Sequence, residues 1–420
     1  MAMTLAEKIL AAHAGLKHVS PGDLIEARVD MVLANDITAP LAIGQFQRLN
    51  VPGLFDRQRV VLVQDHFVPP KDIAAANQCK LVRSFAREHC LAHYYEGGKT
   101  GGIEHVVLPE QGVVLPGEVV IGADSHTCTY GALGAFSTGM GSTDVAVAMA
   151  TGRIWMKVPE TIRFIYEGGL QPWVGAKDLI LYTIGDIGVE GALYQAMEFG
   201  GPVIDAMGMD GRFTMANMAV EAGAKAGLFA VDDTTLDYVR RRTGRPFTVY
   251  HGDPDAQCAL VRQYDVSEIE PQVAFPHLPS NTRPVSQAGH VSIDQVFIGS
   301  CTNGRISDLR LAARVLGGRQ VDSQVRCIII PGDATAYRQA LAEGLIETFV
   351  EAGAMVGTPS CGPCLGGHSG VLGEGERCIS TTNRNFVGRM GHVKSEVYLA
   401  SPAVAAASAI LGRIAAPAEL

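Results

Sequence analysis

Short runs of apolar residues alternate along the chain with longer segments in which apolar residues recur every three or four positions. The short runs predict buried strands, and the periodic segments predict amphipathic helices. The predicted strands are Arg28–Leu33, Arg59–Val63, Glu118–Ile121, Ile162–Tyr166, Gln295–Ile298, Val325–Ile330 and Arg377–Ser380. The predicted helices are Lys71–His89, Thr143–Gly152, Ala176–Ile184, Met215–Ala224, Leu309–Leu316 and Ala334–Ala342. This alternation predicts an α/β protein with parallel sheets.

Two changes in the pattern divide the chain of 420 residues, a length that favours several domains. A new series of strands and helices begins near Lys157, and a polar, proline-rich stretch follows Phe275. Such stretches are typical of linkers. We therefore predict α/β domains over 1–157, 158–275 and 285–420, with a linker over 276–284.

Composition narrows the classes of partner and compartment. The net charge is −9 without a basic run, which argues against nucleic acid or an anionic membrane surface as a partner. No stretch reaches 18 apolar residues, so we expect no membrane span. The nine cysteines are odd in number, and the N-terminal residues lack a signal-peptide pattern, which together predict a cytoplasmic protein.

Three cysteines lie in turn-forming, apolar surroundings: Cys301 in Gly299–Asn303, and Cys361 and Cys364 in Pro359–Gly367. A structural zinc ion and a closed cubane cluster each take four protein ligands. Three thiols therefore favour an iron–sulfur cluster in which one iron is left open to act as a Lewis acid. A redox pair or half of a zinc site remains an alternative for the C-x-x-C motif, although no helical pattern follows its first cysteine. We interpret the other six cysteines as structural.

Histidines next to carboxylates follow two predicted strands, as Asp65-His66 and as Asp124-Ser125-His126, and a third pair is Glu104-His105. A carboxylate that holds one imidazole nitrogen raises the basicity of the ring and fixes its tautomer, which suits a general acid. The alternative is that these are ordinary core or surface histidines. The adjacent Ser125 and His126 do not predict a hydrolase, because the chain has no G-x-S-x-G elbow.

Two arginines, Arg384 and Arg389, lie five positions apart near the C-terminal end of the chain. Guanidinium groups bind carboxylates through two hydrogen bonds, although a surface basic pair is the alternative. The neighbouring Asn383 is a candidate hydrogen-bond donor to cluster sulfurs. A further motif, Gly139–Asp144, opens a predicted helix and is either an anion-binding turn or only a tight turn.

Four of these motifs, around Cys301, Cys361-Cys364, Asp124–Thr127 and Asn383–Arg389, resemble those of the aconitase superfamily and occur in the same order. The likeness extends from about residue 30 to residue 410 and is closest to the dehydratase branch. The resemblance implies the three-domain aconitase-like fold without the swivelling fourth domain. In the dehydratase branch that domain is a separate small subunit, with which this chain would form a heterodimer or a larger hetero-oligomer.

The resemblance also implies roles for individual residues. The thiols of Cys301, Cys361 and Cys364 would hold a [4Fe–4S] cluster with one iron not bound by protein. The implied catalytic residues are Asp65 with His66, which protonate the departing hydroxyl, His105 with Asp124, and His126 with Glu221. The implied substrate-binding residues are Ser125, Arg384 and Arg389, and the implied supporting residues are Asn217 and Asn383. The chain departs from the pattern at Asn35–Thr38, where aconitases carry a glutamine that contacts substrate.

The implied reaction is the dehydration and rehydration of a small hydroxy di- or tricarboxylate. Isopropylmalate, on the route to leucine, is the leading substrate, with homoaconitate and dimethylmalate as alternatives. No residue of the chain is a convincing base toward carbon, so we expect the small subunit to supply it. An RNA-binding regulator is a further alternative that the negative charge disfavours. A closed-cluster electron carrier is another, and its nearest candidate for a fourth ligand is Cys378.

Overall fold

The computed structural model describes residues 2–420, which form two compact units. Unit 1 contains the residues up to Glu96, Leu108–Glu167 and Ala192–Tyr264. Unit 2 contains Gly97–Val107, Gly168–Gly191 and Asp265–Leu420. No helix among the residues described is long and apolar enough to cross a membrane.

The strands and helices alternate along most of the chain. The strands are β1 Leu24–Arg28, β2 Met31–Asn35, β3 Val60–Gln64, β4 His93–Glu96, β5 Val119–Gly122, β6 Phe136–Gly139, β7 Arg153–Lys157, β8 Thr161–Glu167, β9 Ala196–Gly200, β10 Ala226–Phe229, β11 Leu260–Asp265, β12 Gln272–Ala274, β13 Thr282–Pro284, β14 Gln295–Ile298, β15 Arg326–Ile329, β16 Met355–Val356, β17 Arg377–Ser380 and β18 Glu396–Ala400. The α-helices are α1 Leu5–Ala14, α2 Ala39–Arg48, α3 Ile73–Glu88, α4 Glu104–Glu110, α5 Ser142–Thr151, α6 Ala176–Ile187, α7 Pro202–Asp205, α8 Met209–Met218, α9 Asp233–Arg240, α10 Ser300–Asn303, α11 Ile306–Leu316, α12 Ala334–Ala342, α13 Leu345–Glu351 and α14 Pro402–Leu411.

Unit 1 is built around a parallel sheet of five strands in the order β4-β3-β2-β5-β6. The two central strands β2 and β3 are buried along their whole length, because helices cover parallel sheets on both faces. A second sheet has the order β10-β9-β8-β11, and β1 pairs with β7 in an antiparallel ribbon. The carboxyl ends of β2, β3 and β5 lie along one edge of the five-stranded sheet, where α/β folds bind their ligands.

Unit 2 contains one sheet of seven strands in the order β13-β12-β18-β17-β14-β15-β16. The five strands from β18 to β16 run parallel, so their carboxyl ends also share one edge. Apolar residues of α11 and α14, such as Leu309, Leu316 and Val404, pack with Val296 and Ile298 of β14 in the core of this unit.

The α/β class with largely parallel sheets is confirmed, and two of the predicted elements are wrong. The predicted strand Arg28–Leu33 is two strands, β1 and β2, with Val29 and Asp30 between them. Asp30 turns the chain there, because its carboxylate accepts hydrogen bonds from Arg59 and from the backbone N–H of Val119. The predicted helix Met215–Ala224 begins earlier, as α8, and ends as a 3₁₀ turn over Ala219–Ala222.

The predicted linker, 276–284, ends in β13, which pairs with β12 in an antiparallel hairpin at the edge of the seven-stranded sheet. The division of the chain into domains over 1–157, 158–275 and 285–420 stays a prediction.

Candidate active site

The three candidate cluster cysteines lie in unit 2 and follow the ends of parallel strands. Cys301 lies in α10, directly after β14, while Cys361 and Cys364 lie in the loop after β16. Asn383 follows β17, which pairs with β14. The three thiols are 3–4% exposed. The sheet therefore collects the predicted metal ligands at one of its edges, in a largely dry environment.

Hydrogen-bond donors point at these sulfurs. The Ser300 hydroxyl lies 3.7 Å from Cys301 Sγ and 3.9 Å from Cys364 Sγ. Asn383 Nδ2 donates to Cys301 Sγ at 3.4 Å, and Arg389 Nη2 donates to Cys364 Sγ at 3.9 Å. Such donors stabilise thiolates, the form in which cysteine binds metal. None of the nine cysteines forms a disulfide bond. The residues present therefore fit an iron–sulfur cluster, which the aconitase-like motifs imply.

The backbone before Cys301 makes a turn that few residues other than glycine adopt. Gly299 has φ +156° and Ser300 has φ +76°. A β-carbon at Gly299 would lie 2.6 Å from the carbonyl oxygen of Ile330. The absence of a side chain at Gly299 thus allows the chain to leave β14 close to β15 and to present Cys301 at the sheet edge.

Cys378 does not lie near the three cysteines along the sheet. It pairs with Gln295 at the start of β14, whereas Cys301 follows the end of that strand. At about 3.3 Å per residue, a strand of this length separates the two ends by roughly 10 Å. Burial raises the pKa of the Cys378 thiol, which disfavours a thiolate there. The closed-cluster alternative, which requires a fourth ligand, is therefore disfavoured.

His105 is tied to the cysteine segment within unit 2 by Arg305, a residue that sequence analysis did not identify. The buried Arg305 guanidinium donates to the Cys301 carbonyl at 2.8 Å and to the His105 carbonyl at 2.9 Å. Ile103 and Val106 pack with Cys301 in one apolar cluster. The backbone on both sides of His105 therefore lies against the segment that carries Cys301. Asp124 belongs to unit 1, and its pairing with His105 stays a prediction.

In unit 1, Asp65 and His66 follow the end of β3. Asp65 Oδ1 lies 2.6 Å from Nδ1 of the buried His66 ring. Burial alone would lower the pKa of His66, but the negative charges of Asp65 and Asp36 outweigh it and hold this pKa well above its ordinary value. The two carboxylates therefore favour the protonated form of His66, the form that can donate a proton.

Asp36, at the end of β2, is the second residue that sequence analysis missed. Its carboxylate accepts hydrogen bonds from the backbone N–H groups of His66 and Phe67, the latter at 2.7 Å. It is fully buried, and its pKa is lowered because the bonds and charge of His66 outweigh the opposing effect of burial. Asp36 thus holds the turn that presents His66.

The remaining acid–base candidates of unit 1 lie together. His126 Nε2 lies 2.8 Å from Glu221 Oε1, and its Nδ1 lies 3.4 Å from Asp124 Oδ1. Asn217 Nδ2 donates to the hydroxyl of Thr129, which in turn donates to the carbonyl of His126. Asn217 therefore supports the backbone of His126 through the Thr129 hydroxyl. The pairing of His126 with Glu221 that the resemblance implied is present in the structure.

Ser125, at the start of a 3₁₀ helix, is half-buried and lines a cavity of about 530 Å³ within unit 1. The same cavity is lined by Gly139–Gly141, which precede α5, and by Lys225. Burial lowers the pKa of the Lys225 ammonium. The role of this glycine turn in binding an anion stays a prediction.

Arg384 and Arg389 differ in their surroundings although the sequence presents them as a pair. Arg389 contacts Cys364, as described above, whereas the guanidinium of the half-buried Arg384 lies 5.9 Å from the centre of the exposed Phe386 ring. Cation–π contacts of this kind orient an arginine without using all its donors. Carboxylate binding by either arginine stays a prediction.

The aconitase family (aconitate hydratase) matches residues 7–412 of the chain. The chain therefore belongs to the aconitase family, which makes it a hydro-lyase and implies a [4Fe–4S] cluster. The fold alone is also similar to that of Thermococcus kodakaraensis aconitase X in its holo form. That similarity has a TM-score of 0.50 at 13% identity and covers 90% of this chain and 88% of the other.

Relatives named 3-isopropylmalate dehydratase large subunit match the chain over its whole length. That of Thermodesulfovibrio yellowstonii is 64% identical over 420 residues, all of both chains. The Pyrococcus furiosus relative, named large subunit 1, is 62% identical and is covered over 99% of its length. The Aquifex aeolicus relative is 60% identical and is covered over 98% of its length.

Proposed function

We propose that this chain is the iron–sulfur subunit of a 3-isopropylmalate dehydratase, which interconverts 2- and 3-isopropylmalate on the route to leucine. The observation that carries the proposal is the set of donors directed at Cys301 and Cys364 from Ser300, Asn383 and Arg389. The full-length similarity to relatives of that name supports the choice of substrate.

In this proposal Cys301, Cys361 and Cys364 hold a [4Fe–4S] cluster in which one iron has no protein ligand. When bound, that cluster supplies Lewis acidity that polarises the hydroxyl of the substrate. The three buried thiols and the donors to their sulfurs support this assignment.

The chain's own residues supply the proton and the orientation. His66, charged through Asp65 and Asp36, gives its proton to the departing hydroxyl, which leaves as water when the C–O bond breaks. The C=C bond forms as a base takes a proton from the neighbouring carbon. His105 with Asp124, and His126 with Glu221, orient water and substrate within the site. Rehydration at the other carbon completes the exchange, while Ser125, Arg384 and Arg389 bind the substrate's carboxylates and oxygen atoms.

The base toward carbon comes from a separate small subunit in this proposal. The word "large" in the relatives' names supports a second chain, and no residue described above suits the task. We place the complex in the cytoplasm, which the odd number of cysteines, nine, supports.

The experiment is a reconstitution under anaerobic conditions. The chain is loaded with iron and sulfide, then assayed by chromatography with and without a small subunit, on 2-isopropylmalate, homoaconitate and 2,3-dimethylmalate in parallel. We expect turnover of isopropylmalate that depends on both chains. Cys301→Ser should abolish iron binding, while Cys258→Ser, at a half-buried position of unit 1, serves as the matched control.

If the enzyme prefers either of the other two acids, the assigned substrate changes, whereas the proposed class of reaction stays the same. Full turnover by the isolated chain would contradict the two-subunit proposal. Wild-type iron content in Cys301→Ser would contradict the ligand assignment.

A further inference from the structure

Lys177, the second residue of α6, places its side chain inside unit 2. It is 2% exposed, and its Nζ donates to the carbonyl oxygens of Thr381 at 2.8 Å and Thr382 at 2.6 Å. Removing an ammonium group from water carries a large free-energy penalty unless hydrogen bonds and opposite charge compensate it. A lysine at such a position therefore calls for a specific role.

The two carbonyls belong to the segment that connects β17 to Asn383. The hydroxyl of Thr381 accepts from the backbone N–H of Gly299 at 2.9 Å and donates to the Gly299 carbonyl at 3.0 Å. Asn383 Nδ2 donates to Cys301 Sγ. The segment held by Lys177 thus touches the Cys301 loop at two points, its backbone before the cysteine and the sulfur itself.

We infer that Lys177 is a positioning residue for the iron–sulfur cluster: it fixes the segment 381–383 against the Cys301 loop and places a positive charge next to that segment. The inference rests on the proposed function, since it presumes the cluster. A [4Fe–4S]²⁺ core with three thiolates carries one net negative charge, so a nearby ammonium favours cluster retention. Charge and hydrogen bonds near the sulfurs also set the reduction potential of such clusters.

A purely architectural role for Lys177 would be to anchor α6, but its neighbour Asp178 already does this. The fully buried Asp178 carboxylate accepts from the backbone N–H of Gln272 in β12 at 2.8 Å and from that of Gly175 at 2.9 Å. Asp178→Asn therefore disturbs the same turn of the same helix without removing a contact to segment 381–383. It is the matched control for Lys177.

The test compares Lys177→Met, Lys177→Arg, Asp178→Asn and the wild type, all as full chains reconstituted anaerobically. Iron affinity is measured by competition with a chelator, and the midpoint potential by EPR titration of the air-oxidised three-iron form. We expect Lys177→Met to bind iron about 10- to 100-fold more weakly, the range for residues that orient metal ligands. Its midpoint potential should fall. Lys177→Arg should recover part of the iron affinity and part of the midpoint potential. Asp178→Asn should lower only the midpoint temperature of thermal unfolding.

Wild-type iron affinity and potential in Lys177→Met would overturn the inference, as would equal changes in Lys177→Met and Asp178→Asn. If Lys177→Met does not fold, Lys177→Gln replaces it in the test, because glutamine keeps a hydrogen-bond donor and removes the charge. An unchanged midpoint potential in Lys177→Gln would also overturn the inference. If the wild-type chain assembles no cubane cluster, the proposed function itself is refuted. If the Lys177 variants bind a cubane cluster with unchanged iron affinity and potential, only the inference about Lys177 fails.

Discussion

Asp36 and His66 are joined through both backbone and side chain. The carboxylate accepts the His66 backbone N–H at 3.1 Å through Oδ1, and the same oxygen lies 3.5 Å from Nδ1 of the ring. Asp65 Oδ1 lies 2.6 Å from the same nitrogen, so two buried carboxylates face the Nδ1 side of the imidazole. One residue therefore sets the position of His66 and helps to keep it protonated.

Asp36→Asn should lower the pKa of His66, because one of the two negative charges that raise it is lost. A general acid must be protonated to act, so activity is lost as the pH rises through this pKa. In the variant that loss should begin at lower pH. NMR titration of the histidine-labelled chain measures the pKa directly. Asp56→Asn, at the surface beside Arg59, is the control, and an unchanged His66 titration would contradict the prediction.

His66→Ala should reduce kcat about 10²- to 10⁴-fold, the usual contribution of a general acid. The effect on KM should be small, because proton delivery strengthens in the transition state rather than on binding. Steady-state kinetics of the two-chain enzyme test this, with the exposed His290→Ala as control. A change confined to KM would refute the assignment of His66 as proton donor.

Gly299→Ala should prevent stable cluster assembly while leaving the rest of the chain folded. The added β-carbon would lie 2.6 Å from the Ile330 carbonyl, so the Cys301 loop must shift. Iron and sulfide per chain after reconstitution are the measurement. Gly53→Ala meets nothing within 4 Å and should load normally. Normal loading of Gly299→Ala would show that the loop tolerates the shift.

Arg389→Lys and Arg384→Lys should separate two functions. Arg389 donates to Cys364 Sγ, so its loss should weaken iron retention as well as activity. Arg384 is the candidate ligand for the substrate's carboxylate, so its replacement should raise KM with iron content unchanged, because an ammonium cannot form the two-pronged bond to a carboxylate. Iron content per chain and steady-state kinetics, measured for both variants, test this difference. Equal iron loss in both would contradict the division.

Much of the site could be predicted from local sequence because its groups are recognisable singly. Three cysteines in glycine turns, and histidines after strands, suggest metal and proton chemistry before any contact is known. Asp36 was missed for a specific reason. The predicted strand ended at Leu33, whereas β2 continues to Asn35, so Asp36 did not stand out as the residue after a strand. With the correct end, Asp36 and Asp65 follow neighbouring parallel strands.

Arg305 and Lys177 could not be predicted, because their partners lie far away in sequence. Arg305 reaches the carbonyl of His105 across 200 positions, and Lys177 reaches that of Thr381 across 204. Both are cations that sequence patterns assign to the surface, where most lysines and arginines lie. Only the assembled sheet shows that the two side chains point inward, at backbone oxygens near the predicted metal ligands.

Unit 2 draws on three stretches of chain that the residues of unit 1 interrupt. A fragment begun at residue 285 would keep all three proposed iron ligands, yet it would lack His105, Lys177 and the strands β12 and β13. The proposed cluster site therefore cannot be transferred to another protein as one continuous segment. During translation, too, unit 2 can be completed only after its last stretch has been synthesised, so we expect the cluster to be loaded after synthesis rather than on the nascent chain.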